Sequence, residues 1–241
     1  MKKYYYFTIR ILKNVNMKRL LYLIIFSIIC FNLYSQNPKI NLNDLIAETQ
    51  LNRSNESTIK IAWWIPVEFW KGSLANQSNI NKSQSDEFIE ALSPYVMFAI
   101  IEGKVGPFGG ISYVPFDTIN KKLFLITETG EKYYPLSDDE ISSDVQNLLL
   151  IFKPVLQNLI GQMGQNMHFF VFNDFTKNNN RICDPFQKGR VHLYIGDYNY
   201  AWKTPLGSLL PPKYCPVDNE KFSGAYEYCP WHGNKLETKE Q

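Results

Sequence analysis

Residues 95–103 read YVMFAIIEG, an unbroken apolar run from Tyr95 to Ile101 between Pro94 and Gly103. A strand with one wet face alternates apolar and polar side chains; a strand that does not alternate is covered on both sides. The run therefore predicts a strand buried on both faces, and the rest of the chain must supply its cover. "STIKIAWWIP" supplies a partner: Ile59, Ile61, Trp63 and Ile65 alternate with Lys60, Ala62 and Trp64, and Pro66 ends the strand.

Between these strands, "SQSDEFIEALSP" predicts a short helix with a capping box at Ser83 and Asp86, and Pro94 stops it. "KLFLITETGEKYYPL" predicts a hairpin turning at Thr129-Gly130. The longest helical pattern begins at a second capping box, Ser137 and Glu140. It carries Ile141, Val145, Leu148, Leu149, Phe152, Leu156 and Leu159, with Pro154 expected to kink or split it. "MHFFVF" and "RVHLYIG" predict two further strands. About six strands and two main helices without βαβ alternation predict an α+β domain with a mixed or antiparallel sheet. The expected division is a leader over 1–35, a polar linker or short leading helix over 36–57, the α+β domain over 58–202, and a linker with a small tail over 203–241.

The formal charge of +2 conceals an asymmetry. Lys2, Lys3, Arg10, Lys13, Lys18 and Arg19 are basic and the first 35 residues hold no acid; without them nineteen Lys and Arg face twenty-three Asp and Glu, a formal −4. No dense basic run follows, so nucleic-acid binding has no electrostatic footprint. The basic start is followed by "LYLIIFSIICFNLYSQ", too short for a membrane span, which needs about 20 apolar residues, and ending at the small Ser35. This is the pattern of a secretory signal peptide, with Met17 as an alternative start. Ile29 before Cys30 departs from a lipobox, so export to the periplasm or the outside is expected over a lipid anchor or an uncleaved membrane anchor, with no stable membrane span once the leader is removed. Asn-x-Ser triplets at Asn52, Asn55, Asn76 and Asn81 would carry glycans only in a eukaryotic secretory route.

Several constellations invite chemistry. In "AWWIPVEFW", Trp64, Glu68 and Trp70 would make a carbohydrate or peptide platform with an orienting carboxylate; the alternative is that the rings are core. Glycoside hydrolysis needs a second carboxylate, for which Glu102 and Asp174 are candidates at strand ends. His168 and His192 could share a sheet face, with Cys183 in the turn between their strands, against the alternative of structural histidines. "VGPFGGIS" lacks phosphate-loop spacing and predicts a tight turn. "NDFTKNNN" lacks the glycine and terminal glutamate of a calcium loop and predicts a hairpin turn.

The tail holds the sharpest motif. Cys215-Pro-Val-Asp218-Asn219 and Cys229-Pro-Trp-His232-Gly233 each place a second metal-ligating type three residues after a cysteine and a turn-former after that. Over about twenty residues this resembles the paired Cys-Pro knuckles of a zinc ribbon. In that family the second ligand of each knuckle is a cysteine; here Asp218 and His232 stand in its place, so the resemblance is to a degenerate ribbon. It implies a structural zinc held by Cys215, Asp218, Cys229 and His232, with Cys183 or water as a substitute for Asp218. Two alternatives stay open in an oxidising compartment: a Cys215–Cys229 disulfide, worth roughly 3 kcal/mol for a 15-residue loop, or a metal-free tail folded on Phe222, Tyr226 and Trp231.

"GPFGG" and "MGQNMHFFVF" resemble stretches of uncharacterised exported bacterial proteins, a resemblance that implies no activity. No residue set has diagnostic catalytic spacing. The expectation is thus an exported, non-catalytic protein that binds a protein, peptide or glycan partner, the alternative being an exported hydrolase acting on glycan or peptide.

Overall fold

The structure is a computed structural model that describes residues 40–75, 77 and 80–239. The expected leader, with Cys30, and Asn76 lie outside the described residues. The described residues belong to one compact unit, an α+β fold in which every strand pairing among them is antiparallel.

The chain opens with α1 (Leu42–Thr49), capped by the Asn41 side chain, and β1 (Gln50–Asn52). The short leading helix therefore exists, and it is tied into the body. Trp63 Nε1 donates to Thr49 Oγ1 at 3.2 Å and Trp202 Nε1 to the Thr49 carbonyl at 2.7 Å. β2 (Thr58–Ile65), α2 (Val67–Leu74), α3 (Lys82–Leu92) and β3 (Tyr95–Val105) follow. The α3 cap is Asn81 with Gln84, which displaces the expected Ser83/Asp86 box by two residues. Asn81 takes the cap because its side-chain oxygen reaches the Gln84 N–H at 3.0 Å while Gln84 returns to the Asn81 N–H.

β3 is the centre of the first sheet. Ile65 to Thr58 of β2 pair along it on one side. On the other side β4 (Ile111–Tyr113) takes its end and β7 (His168–Asn173) its beginning. β1 extends the sheet beyond β2. Every β3 residue from Val96 to Gly103 is buried, as the non-alternating sequence predicts. The turn between β3 and β4 closes with Gly106 N–H on the Gly110 carbonyl at 2.7 Å. Gly109, at φ 80°, supplies the left-handed residue that this tight turn requires.

Two layers cover this sheet. On one face Trp63 meets Phe69 of α2, and Trp70 meets Phe88 of α3 and Phe152 of α5 (Ser143–Leu159), all edge-to-face at 5.2–5.7 Å. On the other face Trp64 and Phe98 pack on Trp202 at 6.1 and 5.5 Å. Trp202 belongs to β9 (Tyr198–Thr204), the edge of a second sheet. That sheet has the order β6 (Lys132–Tyr133), β5 (Leu123–Ile126), β8 (Gly189–Ile195), β9. α4 (Phe116–Asn120) leads into it. α5 runs on through Pro154 without splitting. Its start is capped by Ser142, while the Ser137/Glu140 box caps a separate 3-10 turn at Asp138–Glu140.

The segment after β9, read as a linker, is packed. Leu206 and Leu209 join the core, and the 3-10 turn Gly207–Leu209 presents its N–H groups to α1. Glu48 accepts from Gly207 N, Ser208 N and Ser208 Oγ at 2.8, 2.9 and 2.6 Å. The tail that follows is a three-stranded sheet of β10 (Lys213–Tyr214) between β11 (Lys221–Phe222) and β12 (Glu237–Thr238). Among the described residues no helix is long and apolar enough to cross a membrane.

Candidate metal centre

The tail hairpins place its two cysteines. Between β10 and β11 the Cys215 carbonyl accepts from Asn219 N–H at 2.9 Å, and Cys215 N–H donates to the Glu220 carbonyl at 2.9 Å. Around Cys229 the pattern repeats: Gly233 N–H donates to the Cys229 carbonyl at 2.9 Å, and Cys229 N–H to the Asn234 carbonyl at 2.8 Å. Asn219 and Gly233, each four residues after its cysteine, sit at φ 65° and 69°. This conformation suits only glycine and short polar side chains, which is why the turn-formers recur there.

Each turn aims backbone N–H groups at its own sulfur. Val217 N lies 3.4 Å from Cys215 Sγ and His232 N 3.4 Å from Cys229 Sγ. The N–H groups of Asp218 and Trp231 act on the same two sulfurs. Both cysteines are free and buried, packed with Leu236 and Phe222 in a cluster of their own. His232 turns Nδ1 inward, 3.4 Å from Cys215 Sγ and 3.5 Å from Cys229 Sγ. The three ligand atoms lie within 4.8 Å of one another.

Those distances carry chemical meaning. With metal–sulfur bonds of about 2.3 Å and metal–nitrogen bonds of about 2.0–2.1 Å, the S···N edge of a tetrahedral site is about 3.6 Å. Cys215, Cys229 and His232 can therefore hold a metal ion with little rearrangement. Asp218 stands at the rim. Its Oδ1 accepts from Glu220 N–H at 3.0 Å, and its Oδ2 is 3.8 Å from His232 Nδ1, against about 3.3 Å for a tetrahedral O···N edge. It is outside the mutually close set, and a small rotation would be needed to bring it in.

The protonation of the pair is uneven. Burial pushes the Cys215 thiol up. Burial acts on Cys229 in the same direction, but the N–H groups of His232 and Trp231 and the His232 ring outweigh it, leaving this thiol below its ordinary range. N–H donors on sulfur favour thiolate, the form that binds metal.

The other candidates are dispersed. Trp64 and Trp70 are core residues, 0% and 4% exposed, and Glu68 is buried at 3%. They form no open platform because β2 and α2, which carry them, are covered by the second sheet and by α3 and α5. Glu68 faces Lys71 at 3.4 Å and Arg181 at 3.7 Å. Glu102 pairs with Lys122 at 2.8 Å. Asp174, fully buried, accepts from Arg181 Nε at 2.7 Å and from Cys183 N–H at 2.8 Å. Burial pushes the Cys183 thiol well up, which makes it a poor nucleophile. His168 and His192 lie on different sheets. The first contacts the Val114 carbonyl at 3.1 Å, with burial holding its imidazole pKa down, and the second contacts Asn199 Oδ1 at 3.2 Å. They share no sheet face, so the pairing possible on sequence fails. Arg181, which ties Asp174 to Glu68, left no sequence signal, because its partners come from the far side of a hairpin and from α2.

No family model, no curated protein and no solved structure matches the chain.

Proposed function

We propose that the chain is an exported, non-catalytic binding protein whose C-terminal tail is a degenerate zinc ribbon, with zinc in a structural role. The carrying observation is the repeated turn. Two loops with one hydrogen-bond pattern, each with a left-handed residue four positions after a cysteine, converge on Cys215, Cys229 and His232, with both S···N edges close to tetrahedral size. Borderline-soft zinc suits two thiolates and an imidazole better than calcium or magnesium does. Asp218 completes the shell by rotating its Oδ2 inward. Export is supported by the basic flank and short apolar run of the first 35 residues. Glu68, His168 and His192, on which the hydrolase alternative relies, lie apart, each engaged in its own local pairing.

Native mass spectrometry of the chain prepared without reductant tests the metal. One zinc per chain is expected at neutral pH. Bound thiolates and imidazole carry no proton on the ligating atom, so falling pH favours the protonated, metal-free form. Acidification therefore releases the zinc and leaves Cys215 and Cys229 open to alkylation. A metal-free mass two protons light would instead establish the disulfide.

A further inference from the structure

We infer that the cleft between the body and the tail binds an acidic sugar, through stacking on Phe186, Tyr226 and Tyr228 and charge pairing with Lys188 and Lys203. The inference rests on the reading of the chain as a binding protein and names the surface and the ligand class. The cleft has a volume of about 500 Å³, within the range of small-ligand sites. Three half-exposed aromatic rings, Phe186, Tyr226 and Tyr228 at 49%, 50% and 59%, border this one space. Large rings left in water and gathered round a concavity mark a contact surface more than scattered exposure does.

The charge of the lining departs from that of the chain. Lys188, Lys203 and Lys213 face the cleft with Glu227 as the only acid among its lining residues, whereas the chain beyond residue 35 is formally −4. Lys213 is engaged, donating to the Tyr226 carbonyl at 2.8 Å. Lys188 and Lys203 have no ion-pair partner among the described residues. A pyranose ring offers apolar C–H faces to the aromatic rings, and its carboxylate offers a partner to the two free ammonium groups. Single-stranded nucleic acid would need a basic groove that tracks several nucleotides, and the two free lysines here make no such groove.

Both walls are fixed. A Cβ on Gly224 would collide with Leu210 and Pro211, and one on Gly207 with Ser223, so the tail backbone lies directly on the body. Tyr226 stacks on Phe222 at 6.3 Å, and Phe222 packs against the cysteine cluster. The metal centre thus supports one wall, and a preformed cleft loses less entropy on binding.

The test is calorimetric titration of the zinc-loaded full chain with tetragalacturonate, its methyl ester and a tetraglutamate peptide. The free acid is expected to bind with Kd of about 10⁻⁵–10⁻³ M, and esterification, Lys203→Glu and Tyr228→Ala each to weaken it at least about tenfold. Equal binding of acid and ester, wild-type affinity in both variants, no binding of the acid, or equal binding of the peptide would overturn the assignment. Zinc present with no sugar bound removes this inference alone. Sugar bound equally well before and after metal removal leaves the cleft assigned and removes the metal's role in holding its wall.

Discussion

At the zinc site proposed above, Cys229→Ser is expected to strip the metal and unfold residues 213–238 while the body keeps its fold. The tail cannot hold itself by packing. Its buried cluster is Cys215, Cys229 and Leu236 with Phe222 against it, and its named strands are two residues long. A core of that size offsets little of the roughly 1–2 kcal/mol per residue that ordering a backbone costs. Structural zinc contributes on the order of 10–16 kcal/mol in small domains of this kind, so the metal term decides. Serine keeps the shape of cysteine in a smaller side chain and loses the thiolate, so ligation changes far more than packing. Hydrogen exchange is expected to show loss of protection at the N–H groups of Cys215, Leu236 and the substituted position 229, whose acceptors are the Glu220, Glu227 and Asn234 carbonyls. Protection in β3 should be unchanged. Asp218→Asn is expected to have a smaller effect on zinc retention, since Asp218 stands at the rim.

The second large effect belongs to the body. Asp174→Ala is expected to destabilise it by about 3–5 kcal/mol, measured by urea unfolding followed through tryptophan fluorescence. Asp174 is fully buried and accepts from the Arg181 guanidinium and the Cys183 N–H. Its removal leaves a mostly buried cation with Glu68 at 3.7 Å and the charge of Asp184 as its remaining counterweights, and an N–H without its acceptor. The Arg181 side chain is 22% exposed, so some solvent screening remains and the lower end of the range is expected. Glu68→Gln should cost less, because Arg181 keeps its shorter bond to Asp174 and Glu68 Oε2 has no hydrogen-bond partner to lose. A cost below about 1 kcal/mol for Asp174→Ala would contradict a buried ion pair whose breakage strands a charge.

The sequence exposed the fold where one physical signal dominated. The unbroken run at Tyr95–Ile101 could only be a doubly covered strand, and alternation with Pro66 as a stop marked Thr58–Ile65. It was less legible where two signals competed. Asn81 and Ser83 both suit a cap, and the side chain that reaches Gln84 N–H decides between them. Ser137 and Glu140 form the box expected of them, yet it caps a 3-10 turn, since Ser142 lies nearer the apolar periodicity of α5. The polar composition of residues 36–57 concealed how firmly Glu48 and Thr49 are bound into the core by hydrogen bonds from residues more than 150 positions away. At the metal centre, spacing gave the turns and the ligand types. The rank of the ligands depends on the 3.8 Å from Asp218 to His232, which spacing does not encode. Of the two readings of Trp64, Glu68 and Trp70, the platform fails and the core alternative holds: tryptophans near a carboxylate look alike in sequence whether they face solvent or a second layer.

Zinc-edge X-ray absorption on the intact chain tests the metal claim most directly. Two sulfur scatterers at about 2.3 Å with nitrogen and oxygen at about 2.0–2.1 Å are expected. An all-oxygen shell, or no zinc in a chain whose Cys215 and Cys229 thiols remain free, would contradict it.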